Sequence, residues 1–172
     1  SRLADMARDS GWKIRILHRS GPGRAPREGL EVDASGREHA WWAPAEHLLA
    51  PGALEGARAV VCLSGAPIAP RPWTPARRRV LAASRLSTTA LIARVAAGLP
   101  PAVRPEVLLS GSATGFYGNR GDEILTETCG PGEGFLSELC QRWEAAAGPA
   151  ARVGLRTVQS RTGLVVSSSG GL

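Results

Sequence analysis

Residues 106–118, read as EVLLSGSATGFYG, run an apolar stretch straight into serines, glycines and a tyrosine. An apolar run that ends in small hydroxylated residues fits a buried parallel strand delivering side chains to a ligand at its carboxyl end. Over this segment alone, a core strand followed by an ordinary glycine turn reads the same way. A second exit of the same kind lies upstream, where AVVCL at 59–63 passes into Ser64, Gly65, Ala66 and Pro67. Two such exits in one chain constrain the fold more than either does singly.

Around them, helical and strand patterns alternate. Leu3, Met6 and Ala7 have helical spacing over 2–10 and Gly11 stops them; KIRIL at 13–17 reads as a strand that ends in His18, Arg19 and Ser20. SGPGRAPREG at 20–29 is a loop by its Gly and Pro content, and 38–42 reads as a short strand with paired Trp41 and Trp42. Val80, Leu81, Leu91, Ile92 and Val95 predict a long helix over 75–97, with Thr74 as its N-cap and Gly98 and Pro100 as its end. A strand at 107–110, a helix at 135–147 with Leu136, Leu139, Cys140 and Trp143 on one face, and a strand at 153–160 follow. Gly148 and Pro149 stop that helix, and 167–171 is a polar, glycine-rich tail. Such alternation predicts an α/β chain with a parallel sheet covered by helices on both faces.

Composition removes several other classes. With 172 residues, 43% of them hydrophobic and 21% charged, the chain has the make-up of one globular domain over 1–172. Its net charge of +6 does not point to nucleic acid, because the only basic cluster, Arg77 to Arg79, opens a helical apolar pattern and has no interleaved aromatics. Cys62, Cys129 and Cys140 are odd in number and widely spaced, with no CxxC pair and no histidine at ligand distance, so neither a disulfide framework nor a metal site is expected. A reducing cytoplasm is the expected compartment. No uninterrupted apolar stretch reaches the roughly 18 residues of a membrane span, and no signal peptide is visible.

CLSGAPI (62–68), RPWTPARRRVLAASRLSTTALI (71–92), SGSATGFYGNRGDEILTE (110–127), FLSELCQRWEAAA (135–147) and RTGLVVSSSGGL (161–172) resemble, in order, successive motifs of one family. It is that of the atypical extended short-chain dehydrogenase/reductases, usually labelled NAD-dependent or sugar-nucleotide epimerase-like proteins. The resemblance implies a Rossmann-type doubly wound parallel sheet, an NAD(P) cofactor and a small-molecule substrate; charge distribution and hydropathy add the expectation of no nucleic acid and no membrane as partner. The resemblance also implies a missing part. Members begin with a strand and a GxxGxxG loop whose N–H groups hold the cofactor pyrophosphate, whereas this sequence starts at Ser1 without that loop. Gly21 and Gly23 follow the second strand and do not replace it.

In the strand order 3-2-1-4-5-6 the missing strand is central, so the strands at 13–17 and 59–63 lack the neighbour between them. Unpaired buried backbone groups cost about 1–3 kcal/mol each against a domain stability of about 5–15 kcal/mol, so the chain is expected to be a fragment that also lacks its C-terminal substrate region.

By the same resemblance Arg19 stands where an arginine pairs with the 2′-phosphate of NADP, which makes NADP the expected cofactor ahead of NAD. Leu63, Ser64 and Gly65 match the loop that runs along the cofactor, and Arg85 matches a position that approaches it. The family's Tyr-xxx-Lys pair is absent. Counting back from Glu144 by four and eight gives Cys140 and Leu136, while the only tyrosine is Tyr117 and the only lysine is Lys13. Ser112 matches the catalytic serine, and Tyr117, five residues on, is the candidate proton donor; Asp122, Glu123 and Glu127 are nearby acids. Two readings stand at this stage: an NADP-dependent oxidoreductase or epimerase that uses Ser112 and Tyr117, and a cofactor-binding module without turnover.

Overall fold

The computed structural model describes residues 2–21, 23–69, 71–167 and 170–171. The chain divides into two compact units, Ser1–Glu55 and Gly56–Leu172.

In the first unit, helix α1 (Arg2–Asp9) precedes strands β1 (Arg15–Arg19), β2 (Glu31–Val32), β3 (Glu38–Ala43) and β4 (Leu48–Leu49). β1 and β3 pair in parallel, from Arg15 opposite Glu38 to Arg19 opposite Trp42. The short β2 and β4 pair antiparallel with β3, so this sheet is mixed and not wholly parallel as the sequence suggested. Its core is small: Ala40, Ala50 and Ala53 are buried, with Leu17 and Leu49 against them.

Charge supplies much of the rest of this unit's order. The Arg15 guanidinium donates to Glu38 Oε2 at 2.7 Å and to the carbonyls of Gly52, Ala53 and Glu55 at 2.9, 3.1 and 3.0 Å, fastening the chain after β4 to the first strand. Asp33 closes the turn between β2 and β3. Bonds from Ser35, His39 and the Arg37 N–H hold its carboxyl well below the usual carboxylate range.

The second unit contains β5 (Ala59–Cys62), α2 (Pro75–Gly98), β6 (Val107–Ala113), a 3₁₀ turn (Thr114–Tyr117), α3 (Phe135–Ala145), α4 (Gly148–Arg152) and β7 (Arg156–Thr162). β5, β6 and β7 form a parallel sheet in that order. Over its described residues, the expected polar tail forms a small antiparallel pair, β8 (Val166–Ser167) with β9 (Gly170–Gly171). Thr74 caps α2 as predicted, its side chain accepting from the Arg77 N–H at 3.2 Å with Pro75 in the first turn.

By length and composition α2 could cross a membrane, a property the sequence reading gave to no stretch. Its Leu81, Leu91, Ile92, Ala93 and Ala96 are buried, and it packs on α3, α4 and β5 as a core helix. The predicted stop at Gly148 and Pro149 is a helix start as well: proline in a first turn has no N–H to lose, and α4 begins there.

Trp143 of α3 locks the helical layer to the sheet. Its indole N–H donates to Thr89 of α2 at 2.9 Å, and its ring lies where a Cβ on Gly111 of β6 would stand, 2.9 Å from the nearest ring carbon. Among the described residues β1 and β5 each have a strand neighbour on one side only. Within their own units the parallel orders are β3-β1 and β5-β6-β7.

Candidate functional site

β6 runs three residues beyond its predicted end, so Ser112 lies inside the strand, in parallel register with Arg161 of β7. On these neighbouring strands, with α3 packed on β6, four polar side chains meet. Ser112 Oγ donates to Glu144 Oε1 at 2.6 Å. Arg161 grips the same carboxylate with both arms of its fork, Nε to Oε1 at 2.8 Å and Nη2 to Oε2 at 2.9 Å. Its remaining nitrogen, Nη1, donates to Tyr117 Oη at 2.9 Å and to the Glu127 carbonyl at 3.3 Å. The guanidinium also lies 3.5 Å from the centre of the Phe116 ring.

The two hydroxyl residues are buried and the ion pair is partly exposed. Ser112 is 5% and Tyr117 7% exposed. Burial works to raise the Glu144 carboxyl, but the bonds from Arg161 and Ser112 outweigh it and hold the group below its usual range. The same pair keeps Arg161 charged at all accessible pH.

The turn that carries Tyr117 is held from below. Ser137 of α3 donates to the Phe116 carbonyl at 2.7 Å and to the Gly132 carbonyl at 2.8 Å, while the Gly132 N–H donates back to Phe116 at 3.0 Å. The loop between the turn and α3 is thus pinned at its far end. Ser112 and Tyr117 are brought together as the sequence suggested, but through Glu144 and Arg161, which sequence reasoning used only as a counting mark and as the start of a motif. Parallel register could have found Arg161, since it lies as deep in β7 as Ser112 does in β6.

The acidic candidates stay outside. Glu123 pairs with Arg120 on the surface, Asp122 is exposed, and Glu127 contributes only its carbonyl. Cys140, four residues before Glu144, packs with Phe116 and Tyr117, and burial pushes its thiol up. Burial does the same to Cys62, whereas the backbone N–H and hydroxyl of Thr126 lower the thiol of Cys129. Among the described residues no group of His, Cys, Asp and Glu could hold a metal ion.

The candidate cofactor residues have different surroundings. Arg19 is exposed at the carboxyl end of β1, its guanidinium 6.0 Å from the centre of the Trp42 ring. Leu63 is exposed, Ser64 half-buried and Gly65 open. Arg85 lies beneath this loop: 7% exposed, it donates to the carbonyls of Ala66 and Leu81 at 3.0 and 3.2 Å and stands over the Trp143 ring. The bond to Ala66 ties it to the loop that follows β5.

A Cβ on Gly65 would meet Arg85 Cζ at 2.9 Å. Gly65→Ala is expected to destabilise the protein by about 1–2 kcal/mol in urea unfolding, and by clearly less when Arg85 is also Ala; equal penalties in both backgrounds would refute this contact as the cause. A groove beside the turn is lined by Trp73, Gly115, Gly118, Glu133 and Phe135, and includes neither Ser112 nor Tyr117.

No family model matches the chain. An epimerase family protein of Mycobacterium bovis is 38% identical over 135 residues, 78% of this chain and 44% of that protein. Among solved structures, the nucleoside-diphosphate sugar epimerase of Corynebacterium glutamicum superposes with a TM-score of 0.68 at 27% identity, over 99% of this chain and 38% of that one. The human epimerase family protein SDR39U1 with NADPH gives a TM-score of 0.73 at 24% identity, over 98% of this chain and 51% of that one, a likeness of fold. The chain spans about half the length of these relatives or less. It is a homologue of the epimerase family proteins, matching part of their length, and carries part of their NAD(P)-binding Rossmann-like fold.

Proposed function

We propose that this chain supplies the NADP(H)-holding and hydroxyl-handling part of an oxidoreductase or epimerase acting on a carbinol or sugar-nucleotide-like substrate. The observation that carries this reading is the meeting of Ser112 and Tyr117 at the carboxyl end of a parallel strand, the place where ligands bind in open α/β sheets. The NADPH bound to the human relative supports the choice of cofactor class.

Arg19 suits a 2′-phosphate: it is exposed, carries no carboxylate partner among the described residues, and is backed by an indole face. Leu63, Ser64 and Gly65 would lie along the cofactor, with Arg85 holding their loop from below. When bound, NADP(H) supplies a hydride donor or acceptor. The chain's own part is to orient the substrate oxygen with Ser112 and to move its proton through Tyr117.

A cofactor-binding module without turnover is the second reading. It is favoured by Cys140, a buried thiol at the place of one member of the Tyr-xxx-Lys pair, with no lysine near.

The test uses the full-length protein. Arg19→Ala is expected to weaken NADPH binding about 10- to 100-fold in a fluorescence titration, from the loss of one charge-assisted phosphate contact, and to leave NADH binding within a few-fold. Equal losses for both cofactors would remove Arg19 from the 2′-phosphate. Incubation with NADP and a panel of sugar nucleotides and simple alcohols then separates the two readings. Reduction of the cofactor supports the enzyme, and binding without turnover supports the module.

A further inference from the structure

We infer that Glu144 and Arg161 are positioning residues that fix the hydrogen-bond polarity of the hydroxyl pair, so that Ser112 meets a substrate as an acceptor and Tyr117 meets it as a donor. The inference rests on the proposed role of Ser112 and Tyr117 and adds to it a preference for one oxidation state of the substrate.

The argument is a count of protons and lone pairs. A carboxylate gripped by both arms of a guanidinium is ionised and has no proton to give, so the 2.6 Å contact between Ser112 and Glu144 must use the single proton of the serine. Ser112 is left with lone pairs only. A guanidinium has donors and no acceptor, so the 2.9 Å contact from Arg161 to Tyr117 must use a lone pair of the phenol oxygen. The phenolic proton is left free. Ser112 and Tyr117 are 5% and 7% exposed, so little solvent competes for these bonds.

As a hydrogen-bonded ground state, a carbinol O–H fits this pair twice over: it donates to a lone pair of Ser112 and accepts from the O–H of Tyr117, with no proton transferred. The matching ketone has no proton, and its oxygen finds one donor, Tyr117, instead of two. The site is thus set for the alcohol form of its substrate. Arg161 does this while touching four groups at once, namely Glu144, Tyr117, the Glu127 carbonyl and the Phe116 ring. That is more than packing alone would ask of it.

The test needs neither cofactor nor substrate, so its failure is distinct from failure of the proposed function, which would show as absent NADPH binding and turnover. The Raman Fermi doublet of tyrosine reports whether a phenol oxygen accepts or donates. Subtracting the spectrum of full-length Tyr117→Phe from that of the unmodified protein isolates the Tyr117 doublet. The expected result is a stronger high-frequency member, the mark of an accepting oxygen. In Arg161→Gln, measured against Arg161→Gln with Tyr117→Phe, that member is expected to drop relative to its partner. Arg161→Lys, which keeps a cationic donor, should restore part of it. A donor-type doublet in the unmodified protein overturns the inference even if the Arg161 variants fail to fold, and so does a ratio that Arg161→Gln leaves unchanged.

Discussion

Glu144→Ala is expected to destabilise the protein by about 3 kcal/mol, because it leaves a charged, mostly buried guanidinium without its counter-ion and the Ser112 hydroxyl without its acceptor. Both side chains of the ion pair are less than one-fifth exposed, so solvent cannot replace the lost carboxylate as it would on an open surface. Replacing both charges together, Glu144→Leu with Arg161→Met, should be milder than the single change, since the desolvation of both ions is then removed as well.

The pH dependence has a definite sign. The folded-state carboxyl of Glu144 lies below its ordinary value near 4.5, so its contribution is fully present above that value and is lost as pH falls through the folded-state one. The gap in urea midpoint between the protein and Glu144→Ala should therefore shrink only below about pH 4.5. A gap that is constant down to the acid limit, or a single variant no less stable than the double one, would contradict this account.

Gly132→Ala is expected to be comparably severe for a different reason. A Cβ there would stand 2.0 Å from the backbone oxygen of Tyr117 and 2.8 Å from the Cα of Gly118, and neither can swing aside as a side chain does. The strand of loop that carries Gly132 would have to leave the turn, breaking its bond to the Phe116 carbonyl and disturbing the Ser137 hydroxyl that bonds both. About 1–3 kcal/mol is typical of overpacking that can relax, and this position is expected at the upper end of that range or beyond. Gly130→Ala, two residues away with open space around its Cβ, serves as the control. Hydrogen exchange at the Gly132 amide gives the local readout, and protection unchanged in Gly132→Ala would show that the loop absorbs the methyl group.

The sequence disclosed the parts of this molecule whose cause is local. The strands at 59–62 and 107–113 were legible from the apolar residues that open them, although β5 alternates buried Val60 and Cys62 with exposed Ala59 and Val61, and Thr74 with Pro75 starts a helix by its own hydrogen-bond chemistry. β2 and β4 escaped because two residues each carry no periodicity, and their pairing is decided by the turn at Asp33 and by the Arg15 clamp. α4 escaped because Gly148 and Pro149 end one helix and open another, and a stop signal read alone conceals the start.

At the candidate site, Ser112 and Tyr117 could be nominated from a motif, since both lie within six residues of chain. The pair that joins them was not. Glu144 is 32 residues from Ser112 and 17 from Arg161, and only the parallel register of β6 with β7 and the packing of α3 bring the three together. Arg85 was a candidate from its place in a motif, and its bonds to the carbonyls of Ala66 and Leu81 could not be read from the sequence.

The three thiols differ enough in chemistry to be told apart by a reagent. Thiolate is the reactive form; burial suppresses it at Cys62 and Cys140, while the N–H and hydroxyl of Thr126 favour it at the partly open Cys129. Mild alkylation should therefore mark Cys129 first. Because Cys129 packs beside the Phe116–Tyr117 turn, a small fluorophore placed there would act as a reporter on that turn, giving a binding signal for any ligand that disturbs it.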